Sequence, residues 1–308
     1  MTRSRTSGVL AGVATAVLLG SMVPVTALLA HYPLFPAQAI RYAIAALLLL
    51  TFMVLRRRPL PRPSVRDVLA LIATAVTGMV GFSAAVLYAQ DYAEGGFVAA
   101  VIGGSPLVVA IAAPLLVRQR PVAKAVSGAA LVVLGVAILT GGGAWHGPGL
   151  VLALLAMLGE ASFTLFAVGA IARLGVVAVS AYSCVVAAIG SAFIGLWSSW
   201  PMPTGAELFA ILFLAVMVTA VAFVVWYYCV SVLGAANAAV MVGLVPVFGL
   251  LATVALGRQE FTAVAVLGAL VVATGCVVGL RTSRTPSDVS DRREPSEEHP
   301  ELRPAAPL

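Results

Sequence analysis

Charge is the scarcest feature of this 308-residue chain. Asp, Glu, Lys and Arg make up 10% of it, against about 25% in a soluble domain. A surface so poor in charge could not keep a globule of this size in water. A soluble enzyme, a disordered protein and a nucleic-acid binder are therefore excluded. Lysine occurs once, as Lys124, and asparagine once, as Asn237. The three histidines, His31, His146 and His299, fall in loops or in the tail. The three cysteines, Cys184, Cys229 and Cys276, lie in apolar runs without CxxC spacing. They read as small buried hydrophobes, and neither a disulfide framework nor a metal site is implied. No G-x-x-x-x-G-K-[ST] loop, no HExxH and no Ser/His/Asp set at membrane depth occurs. ATP hydrolysis and intramembrane catalysis are not expected, and no cofactor is called for.

What is present is apolar: 61% of residues, with a mean hydropathy of +1.07. The apolar set is Ala, Val, Leu and Gly rather than aromatics, as in membrane bundles whose helices approach closely. Runs of about 20 such residues suit a membrane helix. Ten are predicted, at 9–30, 35–55, 68–88, 96–117, 122–141, 148–169, 176–197, 207–229, 236–257 and 262–280. The first resembles a signal peptide in its flanking Arg3 and Arg5, but nine more runs follow, so it is expected to remain as the first helix. With the N-terminus inside, the inner loops hold Arg56, Arg57, Arg58, Arg62, Arg66, Arg118, Arg120, Lys124 and Arg173. The outer loops hold Asp91, Glu94 and Glu207, with Arg258 the one basic exception. Cytoplasmic loops collect Lys and Arg, so residues 1–8 and the tail 281–308 are both expected in the cytoplasm. The tail, rich in Pro, Ser, Glu and Arg, is expected to be disordered.

The chain repeats itself. At an offset of 140 residues Tyr88 falls on Tyr228, Gly103 on Gly243, Pro106 on Pro246, Arg118-Gln119 on Arg258-Gln259, and Gly128 and Gly135 on Gly268 and Gly275. Tyr42 pairs with Tyr182 at the same offset. The expected halves are 9–141 and 148–280, five spans each. Five is odd, so the second half enters the membrane opposite to the first. This predicts an all-α membrane protein of ten helices in two inverted repeats, and it accounts for Arg258. Inverted halves are the usual architecture of secondary transporters, with the site near the midplane between them. Pro106 and Pro246 fall mid-span, where a proline removes a backbone hydrogen bond. Such breaks are tolerated in lipid only against protein or a water-filled cavity, so both are cavity candidates.

On these residues the chain resembles the EamA-like branch of the drug/metabolite transporter superfamily. The matching stretches are Tyr88 to Gly135 and Tyr228 to Gly275, including "VIGGSPLVVAIAAPLLVRQRPV" and "MVGLVPVFGLLATVALGRQEFT", with Arg41 in "QAIRYAIAALL". The resemblance covers residues 8–280. One departure is plain: Arg120 stands where the family usually has Glu, while the second half keeps Glu260. The resemblance implies an exporter of small metabolites, amino acids or drugs in the cytoplasmic membrane, working by alternating access.

Two charges lie inside spans, where each costs about 2.5–3.5 kcal/mol on insertion scales. Glu160, in "LAMLGEASFTLF", has Ser21 as its repeat partner. Burial disfavours the charged form of a carboxylic acid, so a carboxyl there could take up and release protons. It resembles the single intramembrane Glu of the small multidrug transporters. A neutral Glu hydrogen-bonded between helices is the alternative. Arg41 could hold a substrate carboxylate, snorkel to the interface or pair with Glu160. Gln38, Tyr42, Tyr88, Gln90, Tyr182, Trp226, Tyr227 and Asn237 are further cavity candidates. Interfacial belts are the alternative for the aromatics, and capping of span nine for Asn237. Gly128, Gly135, Gly268, Gly275 and Gly279 read as a close-packed seam, between halves or between two copies in a homodimer. Within transport, the rival to proton coupling is facilitative carriage. Outside it, the rival is a non-transporting scaffold.

Overall fold

Each of the ten apolar runs becomes a helix long enough to cross a membrane in the computed structural model, which describes residues 2–58, 60–141, 143–257, 260 and 262–280. The tail 281–308, together with Arg258 and Gln259, lies outside the described residues. The helices are α1 (Thr2–Thr26, continued to Leu29 by a 3-10 turn), α2 (Leu34–Leu55), α3 (Val65–Ala89), α4 (Gly95–Leu116) and α5 (Ala123–Thr140). The second half repeats them as α6 (Gly149–Leu174), α7 (Val176–Gly195), α8 (Gly205–Leu233), α9 (Ala235–Ala255) and α10 (Ala263–Leu280).

Helices α6 and α8 run several residues past the predicted ends. Their breaks contain almost no polar residue; the turn is made by a single glycine. Gly175 and Gly234 sit at φ +81° and +77°, a conformation costly for any side chain. Asn237 does not cap α9. Gly234 holds that position, and the Asn237 amide donates to the Leu233 carbonyl at the end of α8 (2.9 Å). The asparagine thus satisfies a helix C-terminus rather than an N-terminus. Helices α3 and α8 begin with capping boxes at the repeat offset. Ser64 and Asp67 close one, Thr204 and Glu207 the other, each pair satisfying free N–H groups of a first turn.

Four helices are not regular. α4 and α9 are interrupted, at Gly103–Gly104 and at Gly243, into Gly95–Ile102 with Ser105–Leu116 and Ala235–Val242 with Leu244–Ala255. Pro106 and Pro246 therefore fall in the first turn of a second segment, where a missing N–H costs nothing. α3 and α8 carry π-helical stretches at Val76–Gly81 and Leu214–Val221. Shifted by 140 residues, the first falls inside the second. A Cβ on Gly81 would lie 2.5 Å from the Val76 carbonyl oxygen, so glycine suits that underwound turn. π-Helical turns occur often at functional sites.

The halves interlock. α5 lies along α10, and their glycines form the seam between them. A Cβ at Gly128 would lie 2.5 Å from the Gly279 Cα, and one at Gly135 2.6 Å from the Val272 nitrogen. α1 packs on α8 and α9, and α6 packs on α3 and α4. α2 lies against α7, with Cys184 in the shared core and all three cysteines free and buried. One face carries the start of α1 and the end of α10, where Arg5 donates to the Leu280 carbonyl. It is called the terminal face here, and the other the distal face. On the terminal face Ser105–Leu116 packs against Ala235–Val242. The repeat-related pair on the distal face, Gly95–Ile102 and Leu244–Ala255, makes almost no contact.

Candidate functional site

The space left between those two segments is a cavity of about 440 Å³. Gln90 and Gly95 line it at the distal end, and Glu160, Phe163, Phe223 and Trp226 at mid-helix depth. Its wall is mainly apolar, built from α1, α3, α4, α8 and α9 as well as α2 and α6. Of the residues singled out from sequence, Arg41, Tyr42, Gln90, Pro106, Glu160, Trp226 and Pro246 line it. Gln38 stands one hydrogen bond behind Arg41. Tyr88 is half exposed on the outside of α3, at 50%. Tyr182 donates to the Pro61 carbonyl near the terminal face (3.0 Å). Tyr227 is fully buried in the core, and Asn237 stays at the α8–α9 turn. These four are off the cavity wall.

Glu160 is half-buried on α6. Among the described residues it accepts no hydrogen bond and forms no ion pair; the ion pair they contain joins Arg173 to Asp67. The interhelical hydrogen bond allowed by the sequence is therefore not formed, nor is a pair with Arg41. Both charges line one cavity, unpaired with each other.

Arg41 is neither snorkelled to an interface nor ion-paired. Its Nε donates to Thr219 Oγ1 on α8 (2.6 Å), and its Nη1 makes a long contact to Gln38 Oε1 (3.4 Å). Gln38 Nε2 donates to Ser83 Oγ on α3 (3.1 Å), whose hydroxyl donates to the Met79 carbonyl (2.8 Å). Thr219 Oγ1 in turn donates to the Leu214 carbonyl (2.9 Å). This chain of bonds crosses α2 and ends at both π-helical stretches, one in each half. The first stretch is also held by Thr77, whose hydroxyl bonds that of Ser162 on α6 (2.6 Å). Close approach there needs Gly78, since a Cβ would lie 2.7 Å from Phe163 Cβ. Trp226 Nε1 is satisfied by Thr164 (3.2 Å), leaving its ring on the cavity wall.

Thr219, Ser83, Phe163 and Phe223 belong to the site and were not singled out from sequence. Phe163 and Phe223 lie among many apolar residues. Thr219 is a lone hydroxyl in "MVTAVAF", a visible signal whose partner is not. Among the described residues no group of three or more His, Cys, Asp or Glu side chains could hold a metal ion.

The family model of the EamA-like transporter family matches twice, over residues 6–141 and 147–281. The chain is 26% identical over 274 residues to the uncharacterized transporter YetK of Bacillus subtilis (strain 168), covering 85% of this chain and 82% of that one. It is also similar to a protein of known crystal structure, at a TM-score of 0.77 and 20% identity, covering 89% of this chain and 97% of that one. That likeness speaks for the fold alone. Spanning both halves, the family match means that the chain belongs to the EamA-like transporter family, and that it is a multi-pass membrane transporter of the drug/metabolite type.

Proposed function

We propose that the protein is a secondary active exporter of small metabolites, amino acids or drugs in the cytoplasmic membrane. It works by alternating access, with Glu160 exchanging a proton against the solute. The observation that carries the reading is a partnerless carboxyl group on the wall of a cavity lined from mid-depth to the distal face. Repeat-related segments pack on the terminal face and stand apart on the distal one. Exchanging those two arrangements between the halves would close the distal face and open the terminal one. With the basic loops inside, the termini are cytoplasmic and this conformer faces outward. Glu160 then meets external protons, and solute is loaded after the switch.

Arg41 and Tyr42 from α2 line the cavity together with Glu160, and Tyr227 from α8 lies within electrostatic reach of it. Glu160 is the acidic side chain on this wall, so the proton exchange is assigned to it. The test is reconstitution into proteoliposomes with a pH-sensitive dye inside, challenged with a panel of amino acids, organic acids and cationic drugs. Wild type should move protons whenever solute moves, and Glu160→Gln should not. Flux in Glu160→Gln that equals wild type with and without a pH gradient would mean facilitative carriage. No flux for any member of the panel would favour a scaffold. Either result overturns the coupling.

A further inference from the structure

We propose that Arg41 receives a single negative group of the transported solute, a carboxylate on an otherwise apolar body, and that this group takes the place at the guanidinium now held by Thr219. The inference rests on the transport reading but not on its proton coupling.

Arg41 faces the cavity with neutral partners only. Thr219 and Gln38 accept hydrogen bonds from it, and no carboxylate of the described residues reaches it. A guanidinium held at membrane depth without a counter-ion is costly, and hydroxyl and amide oxygens supply geometry but no charge. Glu160 lines the same cavity and still leaves Arg41 unpaired. The missing charge is therefore the ligand's. Arg presents a planar fork that matches a carboxylate in bidentate fashion, and Thr219 occupies only its Nε.

The rest of the wall sets the body of the solute. Met79, Phe82, Val98, Phe163, Phe223 and Trp226 line it, which suits an aliphatic or aromatic group. The volume of about 440 Å³ lies within the ordinary range for small-molecule sites, about 300–1,000 Å³. One cation matches one negative charge. A phosphate ester, carrying nearly two, would bring a charge that no second cation on this wall meets.

The displaced partner gives the site a mechanical output. Thr219 joins α2 to the π-helical stretch of α8 through Arg41 while bonding the Leu214 carbonyl within that stretch. A carboxylate on Arg41 cuts the first link and keeps the second, freeing α8 from α2. A ligand shifts a conformational balance only through contacts that differ between the two states, and this is such a contact.

The experiment is calorimetric titration of the full chain in lipid nanodiscs at one fixed pH. The probes are matched pairs of equal shape: 3-phenylpropanoate with 3-phenylpropanamide, and hexanoate and octanoate with their amides. At least one carboxylate should bind tenfold or more tighter than its amide. Arg41→Gln should weaken that carboxylate at least tenfold and leave the amide unchanged, which also reports that the variant is folded. Thr219→Val should strengthen carboxylate binding severalfold, because a competitor for Arg41 is gone. A merely structural hydroxyl would give the opposite sign. Glu160→Gln should keep the carboxylate preference whatever it does to proton-driven flux, so the two readings fail separately. The inference is overturned if no carboxylate outbinds its amide, if Arg41→Gln keeps the preference, or if Thr219→Val weakens carboxylate and amide alike.

Discussion

The two faces of this bundle are built from one five-helix pattern and fastened differently. On each, a tyrosine of one half donates to the carbonyl of a repeat-related proline in the other. Tyr182 reaches Pro61 on the terminal face, and Tyr32 reaches Pro201 on the distal face, both at 3.0 Å. On each, an acidic residue closes a capping box, Asp67 or Glu207. The terminal face adds a link across the halves: Arg173, at the end of α6, donates through Nε to Asp67 Oδ1 (2.7 Å). Among the described residues Glu207 has no such ion pair. Extra fastening goes with the face whose α4 and α9 segments are packed. Two halves built on one plan thus differ in their fastening on the same face where their α4 and α9 segments differ in packing.

The comparison breaks most completely at what both faces share. Gly128→Val would drive a branched side chain into the Gly279 backbone at the α5–α10 seam. Overpacking costs about 1–3 kcal/mol, and backbone on the far side leaves little room to yield, so the cost should reach the upper end. Thermal unfolding in detergent should show a clear drop in midpoint, and neither face should keep its geometry.

The next largest effect should come from Arg173→Ala. It removes the link present on one face only, so the terminal face should open more often at the expense of the distal opening. Spin labels at Leu116 and Ser231, both exposed on the terminal side, should report longer distances. Labels at Gly95 and Leu256 on the distal side should report shorter ones. An unchanged distribution would mean that the ion pair follows the conformation rather than biasing it.

The smallest effects sharpen the comparison by their signs. Tyr182→Phe and Tyr32→Phe each remove one hydrogen bond, worth about 0.5–1.5 kcal/mol. The first ties the packed terminal face, so its loss should favour opening there; the second is made while the distal segments stand apart, so its loss should not favour distal opening, read from the same label pairs. Burial and nearby Glu207 push the Tyr32 phenol above its ordinary value. It therefore stays protonated, and the distal tie should not respond to mild alkali.

Much of this plan was legible in the residues. The spans, the repeat and its inversion follow from apolar run lengths and from marked pairs such as Pro106 and Pro246. Glu160 stands out because a carboxyl group in "LAMLGEASFTLF" has no cheap place in lipid. The seam glycines were readable as close packing, but only the structure assigns them to the boundary between halves. The capping boxes at Ser64–Asp67 and Thr204–Glu207 carry a sequence signature and were open to detection. The π-helical stretches were not, since an i→i+5 turn leaves no residue pattern that an apolar run does not already have. Nor was the bond from Arg41 to Thr219, because partners 178 residues apart meet only once the helices are packed.

The central claim is that one cavity between the halves is exposed to the two faces in turn. The most direct test is double electron–electron resonance on the full chain in nanodiscs, recording the 95–256 and 116–231 label pairs across a pH series with and without Glu160→Gln. The account predicts that the two distances change in opposite directions with pH in the wild type, and that Glu160→Gln abolishes the response. Distances that lengthen or shorten together, or a pH response that survives in Glu160→Gln, would contradict it.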